Sequence, residues 1–360
     1  MDLINLLVAV LIIFYGTAYI SFSAKRTGLF ALIAEKTLLG KWSGWKLSAV
    51  IFLVSGLLCF LTDNDVVILT ITPMLLHLHG PHDIRKLLLV QFAGANTFSV
   101  FSHISNPTNV IIASRFDIDY LQFLEIMWPI GVIAAVIVII FIPKARGVIN
   151  LRVRKRTKPN TQSIISGLGI AALLTLLATS RLSGVSITLA VITILVIFVV
   201  RDASSKSFAK TMKELPIRPA LVILAGFALL VAMNYFGATQ YIATWLSGLP
   251  FAEAGLIVLI SSVLLAAVIV NIPMSIIMSN ILLLTSFEGS QQIALVSLVF
   301  LTSDVSTLVF RRASLAGHMW QHMIEDDDGK NISRSYFAKN LAPAGIAAMI
   351  AGLLFVLLNS

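Results

Sequence analysis

Long uncharged apolar runs, separated by short polar breaks, occupy most of the chain. The runs at 3–22, 120–143, 163–180, 184–200, 219–236 and 341–358 each come close to the about 20 residues a helix needs to cross about 30 Å of hydrocarbon. They are continuous rather than alternating, which predicts helices and excludes the strand pattern of a β-barrel. Other apolar stretches are interrupted. The run at 47–62 is followed by Asp63-Asn64-Asp65 and then by 66–76, which is too short to cross alone. Together they predict a re-entrant pair of half-helices meeting at 62–65, because irregular backbone at membrane depth is tolerated where protein buries it. The runs at 87–101 and 107–114 flank the polar SHISNP segment, 251–287 is broken at Asn271-Ile272-Pro273, and 291–320 is broken by polar and charged residues. The stretches 25–46 and 241–249 read as lying on the membrane, with Trp42 and Trp45 as interface anchors.

The order span, interfacial stretch, broken hairpin, broken span, full span occurs twice. It divides the chain into a first repeat at 1–143, with its hairpin at 47–78, broken helix at 85–114 and span at 120–143. Two basic loops and two linking spans fill 144–218. The second repeat covers 219–360, with its hairpin at 251–287, broken helix at 291–320 and last span at 341–358. Asn64 precedes Asn106 by 42 residues and Asn271 precedes Ser314 by 43. With the N-terminus outside, 22 of the 26 Lys and Arg fall in cytoplasmic segments, as the positive-inside rule requires. The second hairpin then enters from the opposite side, so the repeats are inverted, the usual construction of secondary transporters. Both termini are expected outside and the chain is expected in the cytoplasmic membrane. The apolar N-terminal run lacks the basic start of a cleaved signal peptide and reads as a retained span.

Composition fixes the class. Of 360 residues, 58% are hydrophobic and 12% charged, with a mean hydropathy of +0.95, far below the roughly one quarter charged residues of soluble domains. The expected fold is an all-α polytopic membrane protein, with inverted repeats that each hold a re-entrant helical hairpin and a broken transmembrane helix. One cysteine, Cys59, excludes an intramolecular disulfide or a multi-thiolate metal site. The net charge of +9 is accounted for by the basic loops, so nucleic acid is not an expected partner and the bilayer is. No metal site and no cofactor are expected beyond a coupling ion.

Each interruption opens a half-helix with residues suited to a helix start: Asp63 or Asn64, Asn106 before Pro107, Asn271 with Pro273, and Ser314. Four such ends near one plane would attract an anion or an oxygen-rich solute, and unwound carbonyls could hold Na⁺. Plain capping at the membrane surface is the competing reading. Asp63, Asp65 and Asp304 are acids at membrane depth, where ionisable groups mark ion or proton paths. Arg311 and Arg312 either neutralise a substrate anion, pair with Asp304 and Asp65, or snorkel toward the cytoplasm. His103 is a candidate proton carrier or a structural histidine. His77, His79 and His82, and the run Glu325-Asp326-Asp327-Asp328, read as solvated loop residues.

The segments TDNDVVILTITP at 62–73, SNPTNVIIAS at 105–114, VNIPMSIIMSN at 270–280 and SLAGHMW at 314–320 resemble the ion transporter superfamily. That superfamily contains arsenite-efflux permeases, NhaD-type sodium/proton antiporters and the related sodium/dicarboxylate and citrate transporters. The resemblance implies alternating access around one site, ion coupling and a possible homodimer. It adds Thr62, Thr108, Asn109 and Ser303 to the substrate site of Asn64, Asn106, Asn271 and Ser314, and carries Asp65 and Asp304, preferred for the coupling ion by their depth, into the same site. Asp63 adds a residue within the family's Thr-Asn-Asp pattern, and Val270 stands where a paired asparagine is common. The leading expectation is a secondary transporter of a small inorganic or organic anion, coupled to Na⁺ or H⁺. Arsenite efflux and sodium/proton antiport are the alternatives within the superfamily, and a channel or an intramembrane enzyme the alternatives outside it. No nucleophile motif and no phosphate-binding loop is found, so no enzymatic activity is expected.

Overall fold

The computed structural model describes residues 3–38, 40–76, 84–145, 148–151, 158–179, 183–204, 207–215, 217–325 and 332–359. The histidines at 77, 79 and 82 and the aspartates at 326–328 lie outside the described residues. Nine helices among the described residues are long and apolar enough to cross a membrane: α1 (Leu3–Arg26), α3 (Gly44–Leu61), α7 (Tyr120–Phe141), α8 (Thr161–Ala178), α9 (Ile187–Ser204), α11 (Ile217–Tyr235), α13 (Phe251–Ile269), α15 (Gly289–Val309) and α17 (Arg334–Asn359). The remaining helices are α2 (Leu29–Leu38), α4 (Asn64–Leu76), α5 (Ile84–Phe98), α6 (Pro107–Arg115), α10 (Phe208–Glu214), α12 (Ala238–Ser247), α14 (Asn271–Leu283) and α16 (Leu315–Glu325). The chain is a helical, multi-pass membrane protein.

The two 13-residue helices α4 and α14 reach only about 20 Å at 1.5 Å per residue. Each follows a longer helix through a one- or two-residue break, α3 before α4 and α13 before α14. The pairs α5/α6 and α15/α16 are likewise single courses of chain, interrupted at 102–106 and 310–314. Such breaks leave backbone groups unpaired, so they are stable only inside protein. The burial pattern agrees: Asn64, Asn106, Asn271 and Ser314 are all buried.

Helix α15 runs through the interior between α13 and α17, while α1 packs on α9 and α6. Helix α3 lies so close to α5 that a Cβ at Gly94 would fall 2.4 Å from the Phe52 carbonyl oxygen. Helices α7, α9, α11 and α13 keep apolar faces outward, with Trp128, Val196, Leu221 and Leu264 exposed. In a membrane chain those faces meet lipid rather than water. One feature departs from helix. Strands β1 (Gly40–Ser43) and β2 (Val148–Leu151) form an antiparallel ribbon, Gly40 opposite Leu151 and Ser43 opposite Val148. It ties the interfacial stretch to the first basic loop, and Trp42 closes it by donating from Nε1 to the Leu38 carbonyl at 2.9 Å.

Candidate functional site

Three of the four half-helices are capped by a side chain from the break before them. Asp63 Oδ1 accepts from the Asp65 amide at 2.8 Å, Asn106 Oδ1 from the Thr108 amide at 3.2 Å, and Ser314 Oγ from the Gly317 amide at 3.1 Å. Each satisfies one donor that a helix start leaves open. The fourth differs from the sequence expectation. Asn271 does not cap α14. It is the first helical residue, and its Nδ2 donates to the Ser303 carbonyl at 3.1 Å. Val270 occupies the cap position at φ 69° and ψ 157°, a backbone region essentially reserved for glycine. No side chain caps α14, so its first amides are left facing whatever fills the space in front of them.

That space is shared by all four breaks. A single cavity is lined by Asn64 and Asp65 at the start of α4, Asn106 and Pro107 at α6, Asn271 and Ile272 at α14, and Ser314 to Ala316 at α16. Phe14 of α1 and Pro219 of α11 complete it. Four helix N-termini therefore point into one chamber, each carrying about half a positive charge. The chamber measures about 10 Å³, room for about one water. The tips hold one another directly: the Asn64 amide donates to the Ser105 carbonyl at 3.0 Å.

Behind the chamber lies a polar crossing between α6 and α15. Asn106 Nδ2 donates to Asp304 Oδ1 at 2.5 Å and Asn109 Nδ2 to Asp304 Oδ2 at 3.4 Å. Thr108 Oγ1 donates to Ser303 Oγ at 3.1 Å. Asp304 is fully buried, and its side-chain hydrogen-bond partners among the described residues, Asn106, Asn109 and Ser99, include no cation. Asn109 also donates to the carbonyls of Ser99 and Ser102, at 2.9 and 3.1 Å, which fixes the break, while its own Oδ1 has no partner among the described residues. A carboxylate, an unused amide oxygen and nearby unwound carbonyls make an oxygen-rich setting suited to a hard cation or a proton.

Other expected residues fall away from the chamber wall. Thr62 Oγ1 donates back to the Leu58 carbonyl at 2.8 Å. Asp63 is buried and occupied as the α4 cap. His103 is buried edge-on to Phe123, ring centroids 5.5 Å apart, and neither ring nitrogen has a partner among the described residues. Arg311 and Arg312 do not pair with Asp304 or Asp65. The short helical turn Arg311–Ala313 aims Arg311 toward the start of α17, where its Nη1 donates to the Ile332 carbonyl at 2.8 Å, and Arg312 toward α16, where its Nε donates to Gln321 Oε1 at 3.1 Å.

The sequence reading missed Phe14 and Pro219, which sit in or beside uniformly apolar runs and carry no polar marker. It also missed a polar chain in which Arg115 Nη2 donates to Asn280 Oδ1 at 2.6 Å and Asn280 Nδ2 to Asn234 Oδ1 at 3.3 Å, linking α6, α14 and α11. A larger cavity of about 600 Å³ adjoins the chamber through their shared residues Pro219 and Leu315, and Arg218, Val270, His318 and His322 also line it. The family model described as citrate transporter, CitMHS, matches residues 3–302. No curated protein matches the chain.

Proposed function

The chain belongs to the citrate transporter family, and on that footing we propose that it is a secondary active transporter. It carries citrate or a closely related polycarboxylate across the cytoplasmic membrane by alternating access, coupled to Na⁺ or H⁺. The observation that carries this reading is the meeting of four half-helix N-termini in one chamber. Backbone amides at those ends, with the side chains of Asn64, Asn106, Asn271 and Ser314, offer the donors that carboxylate oxygens require. Thr108, Asn109 and Ser303 hold the chamber wall, and Thr62 and Asp63 hold the first tip.

Asp65 explains why an ion is needed. It lines the same chamber, and a polycarboxylate beside an ionised Asp65 would meet like charge in a poorly screened site. Either a proton on Asp65 or a Na⁺ between the two anions removes that conflict. Asp304, one step behind Asn106, serves as the second cation or proton position. A chamber of about 10 Å³ is far too small for citrate, so the tips have to separate for loading. The adjoining cavity of about 600 Å³ offers the route on the side where the basic loops lie, with Pro219 and Leu315 between it and the chamber.

The test is transport by the purified protein in proteoliposomes. Labelled citrate is expected to exchange against internal citrate, and to accumulate against its gradient only when an imposed Na⁺ or H⁺ gradient runs. Purely downhill flux, indifferent to both gradients, would mark a channel and overturn the reading. Asn64→Ala and Asn271→Ala are expected to raise the KM for citrate, and unchanged KM in both would remove the chamber as the binding site.

A further inference from the structure

Three arginines gather away from the chamber. Arg311, Arg312 and Arg334 line a cavity of about 340 Å³ whose other walls are apolar, among them Ala267 of α13, Phe310 and Phe337 of α17. It shares no lining residue with the chamber. Arg311 is only 9% exposed. Its guanidinium lies 5.7 Å from the Phe337 ring centroid, and its Nε has no partner among the described residues. Arg312 is engaged by Gln321, which in turn donates to Glu325. Among the described residues no carboxylate comes within ion-pair distance of any of the three arginines; Glu325 acts on Arg311 only through space, against the repulsion of Arg312 and Arg334.

Three like charges around one recess repel one another, and the buried Arg311 also loses hydration, a combination that persists best when an anion occupies the recess. Guanidinium groups match the oxygens of a phosphate. The cavity sits where α15 ends and α17 begins, and Phe310 in its wall is 40% exposed. Apolar surface thus continues outward from the arginines, as a lipid's acyl chains would require.

We propose that Arg311, Arg312 and Arg334 form a second anion site that binds a phosphate group, carried by an anionic lipid headgroup or supplied as free phosphate. The apolar wall favours the lipid.

The full-length chain is placed in phosphatidylcholine nanodiscs with phosphatidylglycerol, without it, or without it but with inorganic phosphate. Retained lipid is counted by native mass spectrometry and the melting temperature recorded. The wild type is expected to retain phosphatidylglycerol and to melt higher with it. Retention falls roughly fivefold for each arginine removed, in Arg312→Gln and in Arg334→Gln, and recovers in Arg312→Lys. Both residues are exposed, so these variants spare the packing that Arg311→Gln disturbs. Stabilisation by inorganic phosphate that is lost in the same variants assigns the free ion as the source and keeps the site. Equal lipid retention, and an equal response to phosphate, in wild type and both glutamine variants would overturn the proposal.

Discussion

Replacing Asn106 with alanine removes two interactions that different parts of the chain depend on. The Oδ1 cap on the Thr108 amide, at 3.2 Å, belongs to the start of α6, while the Nδ2 bond to Asp304 Oδ1, at 2.5 Å, reaches across to α15. Loss of a side-chain cap costs about 1 kcal/mol. A hydrogen bond to a charged group contributes about 1.5–3 kcal/mol, and the other side chains bonded to Asp304 among the described residues, Asn109 at 3.4 Å and Ser99, already hold it in the wild type and do not replace the lost bond. Asn106→Ala should therefore destabilise by about 2.5–4 kcal/mol. On an Asp304→Ala background the second contribution is already gone, so the same substitution should cost only about 1 kcal/mol. The difference, about 1.5–3 kcal/mol, is the coupling between the two sites. Unfolding of the detergent-solubilised protein, followed by tryptophan fluorescence, measures all four corners of the cycle. Equal costs on the two backgrounds would refute the assignment of Asn106 as the tie between α6 and α15.

Three further perturbations probe the site from other directions. Asp65→Asn should leave citrate counterflow intact but abolish its response to the Na⁺ or H⁺ gradient in proteoliposomes, and a retained gradient response would exclude Asp65 as the coupling group. Val270→Gly should raise stability by about 1 kcal/mol, because left-handed backbone at a β-branched residue stores about 1–3 kcal/mol and glycine gives back part of the gain as chain entropy; a fall in melting temperature would show that Val270 is held there without strain. Gly317→Ala should destabilise by at least about 2 kcal/mol, since its Cβ would lie 1.7 Å from the Arg311 carbonyl oxygen, and a wild-type melting curve would contradict that close approach.

Legibility in the sequence followed the polarity of the marker. Asp63-Asn64-Asp65 and the SHISNP segment stand out because nothing polar survives at membrane depth without a reason, and helices end at both. The apolar members of the same chamber, Phe14, Pro219 and Ile272, are indistinguishable in sequence from lipid-facing neighbours. Periodicity does not help, because a buried membrane helix is apolar all round. The ribbon of β1 and β2 was hidden for a different reason: four residues on each strand are too few to show alternation. Arg311 and Arg312 were visible as charges at depth, but their direction depends on the short turn at Arg311–Ala313, which the sequence alone does not disclose.

That direction decides the electrostatics of the chamber. Four helix N-termini supply about two positive charges in total, and Asp65, with Asp63 and Asp304 behind the wall, supplies up to three negative ones. With the arginines aimed toward α16 and the start of α17, no basic side chain among the described residues lines the chamber, so with its carboxylates ionised the balance is zero or below and a polycarboxylate finds no net attraction. One unit of uncompensated charge at 4 Å is worth about 4 kcal/mol at an effective dielectric of 20, or about a thousandfold in affinity. On the proposed mechanism, the entering Na⁺ or H⁺ supplies that factor. Linkage then requires the effect to run both ways, citrate raising the affinity for the cation as much as the cation raises it for citrate. On the same proposal, arginines turned inward would make the cation dispensable and the transport uncoupled, so their position away from the chamber would be part of how coupling is enforced.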